Sequence, residues 1–507
     1  MKLRTAAGDM GTKVPRSKRA CWDLCMSGWF RGWQVLIVVV LFSCISLSSI
    51  GQPTWKRVIG GYDVEQVWDV IATADGGFVI VGSTGSFGAM ASDVYMFKLD
   101  ADGTHVWSQL IGGPGVEEAR AIVEMNDGGF LLVGSTNAGD FGGYDGLVIR
   151  TSAIGEVLWQ RNYGGSDWDF LQDIDLDGND GVWVVGTTFS WGNGGDQWLM
   201  HLNADGDTLL SRRYGGISEE EGLSLIRTVD GGCVIAGSQV SETGDTDAYV
   251  VKVDAAASVE WANSYGGDSL DLARDVIQTM DGGFSLMGST KSYGPVLEQY
   301  HLKLDGSGSE EWHRNWGQVN DQEGYQLLEL PSGEYASIAT VSQGGAGGKD
   351  MFLLRSYSDG GFLLGQTQGG DQDDLARALC RADGGYVMCG ITRSYGAGQW
   401  DVFVIRTNEV GFTDSDEVIV TFDPVPVPEI DSESGIVYPN PSDGLFHLPL
   451  SSHFEQWRLI NSIGATVLSG KFLSGSEVKC SLIDGTYILE LTGGKSIGRS
   501  KLVILNQ

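Results

Sequence analysis

Apolar positions along this chain fall into short, dense runs rather than helical stripes. Phe78-Val79-Ile80-Val81 and Phe130-Leu131-Leu132-Val133 are continuously apolar, the pattern of strands buried on both faces. Each run follows an Asp-Gly-Gly or related turn, whose glycines supply the positive φ that tight hairpins require. Aligned on that turn, corresponding strand residues are Phe78, Phe130, Val182, Cys233, Phe284, Tyr335 and Tyr386, at intervals of 52, 52, 51, 51, 51 and 51. A fixed period near 50 with short strands predicts an all-β fold, a seven-bladed β-propeller.

Residues 117–165 show the plan of one repeat. A first strand, Ala119–Met125, leads through Asp127-Gly128-Gly129 into a second, Phe130–Ser135; a Gly-rich loop precedes the third, Leu147–Thr151, and a short turn the fourth, Val157–Tyr163. Every second strand reaches a small residue, Gly82, Gly134, Gly186, Gly237, Gly288, Ala339 or Gly390, read here as sites where blades converge closely. Trp55–Gly61 has the pattern of a fourth strand, while the last repeat stops after its third, Asp401–Thr407. The N-terminal strand is therefore expected to complete the last blade and close the ring, leaving no open edge there. The propeller spans residues 52–412.

Ahead of it, basic residues up to Arg31 precede the apolar run Val35–Ile45, and Ser49 and Gly51 stand just before Gln52. This is the layout of a signal peptide, residues 1–51, cleaved between Gly51 and Gln52, with Met26 as a possible start. The run is shorter than the ~20 residues of a membrane span, so no permanent transmembrane anchor is expected. Cys44 after Leu-Phe-Ser is the alternative, a lipid-attachment cysteine, although Phe42 suits that motif poorly.

Behind the repeats, residues 413–435 are acidic and contain Pro424, Pro426 and Pro428, a composition for a semi-extended linker. A separate all-β module follows over 436–507. It carries Tyr438-Pro439-Asn440-Pro441 with Gly444, Ile460–Gly464, Gly485-Thr486-Tyr487-Ile488-Leu489, and Lys501-Leu502-Val503-Ile504. These elements resemble the type A C-terminal sorting domain recognised by the type IX secretion system of certain Gram-negative bacteria. Asn461-Ser462 stands where many members carry an aromatic-Asp pair. The resemblance implies a small β-sandwich handled by the type IX machinery at the outer membrane. It further implies removal of that module, followed by release or attachment to surface lipopolysaccharide, and hence a secreted or cell-surface protein.

Charge narrows the partners. Lys and Arg number 33 against 66 for Asp and Glu, for a net −33; without residues 1–51, which hold seven basic and two acidic residues, it becomes −38. Such a surface repels nucleic acid and anionic membrane. Only Cys233, Cys380, Cys389 and Cys480 lie beyond residue 51. Cys380 and Cys389 are diagonal neighbours across one turn, with β-carbons ~7 Å apart, too far for an easy bridge. Free thiols are expected.

The longer loops, joining second to third strands and one repeat to the next, hold the candidate ligand residues. Ser-aromatic-Gly recurs at Phe87, Trp191, Tyr293 and Tyr395, with Phe141 equivalent and Trp400 nearby. These rings suit stacking on a glycan or covering a protein partner; a loop-folding role is equally open. One carboxylate series follows each Gly-Gly (Glu65, Glu117, Asp169, Glu220, Asp271 and Asp374, with Gln322 in the sixth repeat). A second opens the third strands (Asp93, Asp145, Asp196, Asp247, Asp350 and Asp401, with Gln299 as the exception). A ring of acids can hold a cation, but a residue needed once per blade points to hydrogen bonding of loop backbone. Asp173, Asp175 and Asp177 have the D-x-D-x-D-G form of a calcium loop, with Val184 where the bidentate Glu belongs. Calcium is the one cofactor suggested. HExxH and P-loop patterns are absent from the sequence, and no catalytic residue is named. The readings that follow are a glycan- or protein-binding propeller, a polysaccharide-active enzyme using loop-face carboxylates, and a purely structural display protein.

Overall fold

A computed structural model describes residues 53–422 except 88–90, 114, 140, 193, 242–243, 318–319, 343–344, 346 and 397. In the C-terminal module it describes 445–448, 455–460, 466–471, 476–480, 482, 485–493 and 496–504. The cleavage position Gly51-Gln52 and the motif residues Tyr438, Pro439, Asn440, Pro441 and Gly444 lie outside the described residues.

The described residues contain strands and turns and no helix. Between Trp55 and Phe422 they form six four-stranded antiparallel sheets and one five-stranded sheet. Numbered along the chain, the sheets begin with innermost strands Glu65–Ala72, Glu117–Glu124, Asp169–Leu176, Glu220–Arg227, Asp271–Gln278, Gln322–Glu329 and Asp374–Ala382. The continuously apolar second strands are buried along their length, as in Phe78–Thr84 and Phe130–Thr136. Their side chains alternate into two layers, one against each neighbouring sheet. Val79, Val81 and Met96 of sheet 1, for example, meet Ile122, Phe130 and Leu132 of sheet 2. Such a core cluster joins each successive pair of sheets, including sheet 7 with sheet 1, where Ile59, Val387 and Val404 meet Val67, Phe78 and Ile80. This arrangement is a β-propeller. The turns behave as their composition requires: the first glycine of Asp-Gly-Gly lies at φ 85° in Gly76 and 80° in Gly128, a region costly for residues bearing a Cβ.

Trp55–Gly60 pairs antiparallel with Asp401–Asn408, Trp55 opposite Arg406 and Ile59 opposite Val402. Its other edge is also covered. Val418–Phe422 runs parallel to it, Lys56 opposite Val418 and Gly60 opposite Phe422. That strand lies inside the stretch read as a linker. The acids and prolines around it masked Val418-Ile419-Val420-Thr421-Phe422, a run of strong strand formers that satisfies an otherwise open edge.

Each innermost strand carries a β-bulge at the same place, between Val67 and Asp69 in sheet 1 and at the equivalent point in the other six. This gives the small residues of the second strands a different purpose from the one expected. A Cβ on Gly134 would lie 1.9 Å from the Glu118 carbonyl, and one on Gly82 2.0 Å from that of Gln66. The glycines make room for the bulged partner strand of their own sheet, not for a neighbouring sheet.

In the C-terminal module, Gln456–Ile460 lies between Thr466–Lys471 and Gly485–Gly493, and Ser496–Ile504 completes a four-stranded sheet. Leu445–His447 pairs with Glu477–Lys479. Phe446 and Val478 of this small sheet share a core with Trp457, Leu459, Tyr487 and Leu489 of the larger one. Gly485 opposes Ile504 and Lys501 opposes Ile488 in the ladder. Among the described residues no helix is long and apolar enough to cross a membrane.

Candidate functional site

The first carboxylate series builds loops. Glu65, Glu117, Asp169, Glu220, Asp271 and Asp374 each accept the N–H of a glycine four residues earlier, at 2.7–3.1 Å. Each also accepts a side-chain group of the second strand or its loop. Asp169 takes the Thr188 hydroxyl and, at 2.7 Å, that of Ser190; Asp374 takes Ser394 at 2.8 Å. The second series stands beside the first across each junction between sheets. A Cβ on Gly164 would meet Asp169 Oδ2 at 2.6 Å and Asp145 Oδ1 at 2.9 Å. Burial, reinforced by Asp401, pushes Glu65 up to about 7 despite its hydrogen bonds; burial and Asp374 push Asp350 up to about 6. In the fifth sheet the acid opposite Thr290 is Glu298. The series therefore continues there at Glu298, one residue before Gln299, the residue read as the exception.

The loop aromatics are anchored from beneath. Phe87 packs on Tyr95, Trp191 on Trp198, Tyr293 on Tyr300 and Tyr395 on Phe403, with ring centroids 5.3–5.9 Å apart. The preceding serines tie the neighbouring loop: Ser86, Ser190, Ser292 and Ser394 accept N–H groups of Asp63, Asp167, Ser269 and Gln372. The motif thus has a folding role. Its rings still present area to solvent, with Phe141 50%, Trp191 45% and Tyr293 41% exposed, whereas Phe87, Tyr395 and Trp400 are half-buried. Arg393 lies over Trp400 at 4.8 Å.

The three aspartates of the calcium-like motif diverge. Asp173 accepts from Leu225 N–H, Asp175 from Arg227 N–H, and Asp177 caps its own turn and meets His201 at 2.9 Å. The bulge and the turn send the three carboxylates to three different partners. Among the described residues no group of three or more His, Cys, Asp or Glu gathers as a metal site. Cys233, Cys380, Cys389 and Cys480 are free thiols, and the offset Ala378↔Cys389, Cys380↔Val387 is diagonal as expected.

The site that the sequence did not disclose lies where the innermost strands meet. One cavity of about 200 Å³ is lined from all seven of them. Its wall is the set of bulged residues, one per sheet, Trp68, Arg120, Gln172, Leu223, Arg274, Tyr325 and Arg377, all half-buried. A regular strand sends its side chains to the two adjacent sheets; the bulge re-aims one of them inward. Five of the seven form a continuous belt. Arg120 lies 3.8 Å from the Trp68 ring centroid and Arg377 5.1 Å from it; Arg377 and Arg274 lie 5.2 and 5.1 Å from that of Tyr325. Such cation–π contacts hold guanidinium planes in place.

The residue after the bulge supports this wall. An innermost strand turns backbone N–H groups toward the cavity with no strand to receive them. Asp69 accepts those of Val70 and Ile122; Asp173 those of Ile174 and Leu225; Asp275 those of Val276 and Leu327. Gln326 accepts the seventh, from Leu379, at 2.6 Å. Three aspartates each clasp two sheets, and because seven is odd one amide remains for a glutamine. Burial pushes Asp69 up to about 6, Asp275 to about 7 and Asp173 to about 8.

A sequence signal for the cavity existed in the glycine inside six of the seven second strands, with Ala339 in the sixth, a mark of a bulge opposite. The bulged residue itself has no common chemistry, so no motif points to it.

Residues 436–505 match the family of secretion system C-terminal sorting domains. No curated protein sequence matches the chain significantly. Solved structures similar to it include the WD40 domain of Neurospora crassa Pan2 (12% identity, 70% of this chain and 92% of that one, TM-score 0.43). A putative 6-phosphogluconolactonase from Bacteroides fragilis is also similar (13%, 68% and 94%, 0.43), as is the β-propeller domain of the Trilobed protease from Pyrococcus furiosus (8%, 72% and 98%, 0.39). Likeness at these identities concerns the fold alone. The C-terminal module of this β-propeller protein is a secretion system C-terminal sorting domain.

Proposed function

We propose that this chain is an exported ligand-binding protein. A signal peptide over 1–51 leads it out, its sorting domain hands it to the type IX secretion machinery, and a closed seven-bladed propeller then binds glycan or protein, released or attached at the cell surface. One observation carries the binding reading. The bulge recurs in all seven innermost strands, whereas its residue is Trp, Arg, Gln, Leu, Arg, Tyr and Arg in turn. A geometry repeated seven times with seven independent side chains is how a symmetric scaffold makes an asymmetric recognition surface. Phe141, Trp191 and Tyr293, exposed on the loops, supply further stacking area.

Binding is favoured over polysaccharide cleavage by the state of the cavity aspartates and the first carboxylate series. The cavity aspartates each hold two backbone amides, and the first-series carboxylates hold loop amides and hydroxyls. Such groups are positioned to satisfy donors rather than to exchange protons with a glycosidic bond. The test is a glycan-array screen of the mature protein, with and without calcium, beside the variant Trp191→Ala/Tyr293→Ala/Tyr395→Ala and a cavity variant Gln172→Ala/Tyr325→Ala. Saturable spots that weaken in either folded variant support the reading. Turnover of a polysaccharide, or no binding to any glycan or protein partner, contradicts it.

A further inference from the structure

Arg377 is the unusual member of the belt. Its guanidinium sits between the Trp68 and Tyr325 rings, and Nη1 donates to the Tyr325 hydroxyl at 3.1 Å and the Ala376 carbonyl at 2.9 Å. Among the described residues no carboxylate lies within ion-pair distance of it. Arg120 has Glu118 at 2.8 Å, and Arg274 has Glu323 at 3.8 Å. Arg377 Nε and Trp68 Nε1 are buried donors with no acceptor. A guanidinium held between two aromatic rings, with an unpaired Nε and no counter-ion, is suited to charge-assisted contact with an oxoanion.

We propose that the cavity receives a single acidic sugar residue, carrying a carboxylate or a sulfate, with the anion on Arg377 and flanked by Arg120 and Arg274, and the sugar ring toward Gln172 and Leu223. This deepens the binding reading above and rests on it. Size limits the occupant: about 200 Å³ is below the ~300–1,000 Å³ of pockets for drug-sized ligands, which suits one ring rather than a folded segment. Charge limits the rest of the ligand. The chain carries a net −33, so a long polyanion is repelled, while one acidic residue on an otherwise neutral glycan meets the local guanidinium array. Of the three aspartates in the wall, burial raises Asp69 to about 6, Asp275 to about 7 and Asp173 to about 8, so near neutral pH Asp69 keeps most of its charge and Asp173 opposes the anion least.

Calorimetric titration of the mature full-length protein tests the assignment, using a neutral oligosaccharide, the same sugar ending in a hexuronate, its sulfated counterpart, an acidic peptide and inorganic sulfate. The acidic sugars are expected to bind at least about tenfold more tightly than the neutral one, and the stronger of the two identifies the anion. Arg377→Gln is expected to abolish that preference, and Arg377→Lys, which keeps charge without the planar fork, to retain part of it. Inorganic sulfate is expected to compete weakly. Equal binding of acidic and neutral sugars, or a preference unchanged in folded Arg377→Gln, overturns the assignment, as does an acidic peptide outbinding every sugar. Neutral-glycan binding that is lost in the loop variant, with no preference for the acidic sugars, overturns this assignment while leaving the broader binding reading standing; no binding to any probe overturns both.

Discussion

Two rings of side chains circle the propeller, one at the sheet junctions and one at the bulges of the innermost strands. At the junctions the chemistry repeats: an acid in six of seven sheets, a glycine N–H four residues before it, and a hydroxyl or amide from the second strand or its loop. At the bulges the geometry repeats and the chemistry does not. Repetition of both marks a part each sheet needs in order to close its loop. Repetition of geometry alone marks a frame on which different side chains can be mounted, and there asymmetric recognition becomes possible.

The sharpest way to break this contrast is to exchange the expected effects. Asp169→Ala removes the acceptor of Gly165 N–H and of the Ser190 and Thr188 hydroxyls. It is expected to cost about 3 kcal/mol in urea unfolding, whereas Gln172→Ala, three residues on in the bulge ring, should cost within about 0.5 kcal/mol. Equal losses would dissolve the distinction.

Next in size is the bulge itself. Gly134→Ala places a Cβ against the Glu118 carbonyl and is expected to destabilise by about 1–3 kcal/mol. Ala339→Gly, at the equivalent place in sheet 6, should cost about 1 kcal/mol or less. Unfolding midpoints of the two variants compare them directly.

A smaller effect is expected from pH. Asp69, Asp173 and Asp275 have folded pKa values near 6, 8 and 7, above the ~3.9 of an unfolded aspartate. The folded state therefore holds more protons between these limits, so their contribution is full below about pH 4 and is lost as pH rises toward 8. Asp173, raised furthest, is expected to carry the largest share of the loss. Urea midpoints at pH 5 and pH 8 should show it, and Asp173→Asn should flatten the difference. The smallest expected change is Phe141→Ala, within about 0.5 kcal/mol because the ring is half exposed; its thermal midpoint should not move.

Much of the scaffold was legible from period and composition. The spacing from Phe78 to Tyr386 located the repeated strands, and the unmatched Trp55–Gly61 anticipated its pairing with the last third strand. The repetition of the junction acids pointed to backbone hydrogen bonding because a need shared by every sheet shows as a column of like residues. The bulges were hidden for the opposite reason: one extra residue per strand leaves the repeat length unchanged, and Trp68, Arg120 and Leu223 share no chemistry by which to align them. Val418–Phe422 was missed because flanking acids and prolines outweighed five strand-forming residues. Glu298 was missed because Gln299 was aligned in its place, although Glu298 keeps the 51-residue interval from Asp247.

The account rests on the cavity belt binding while the junction carboxylates build. Its most direct test is Arg120→Gln/Arg274→Gln/Arg377→Gln, with the unfolding midpoint and glycan-array pattern recorded on the same preparation. A midpoint close to that of the parent protein together with loss of the bound glycans is the result expected. A folded triple variant that binds every glycan the parent binds would contradict it.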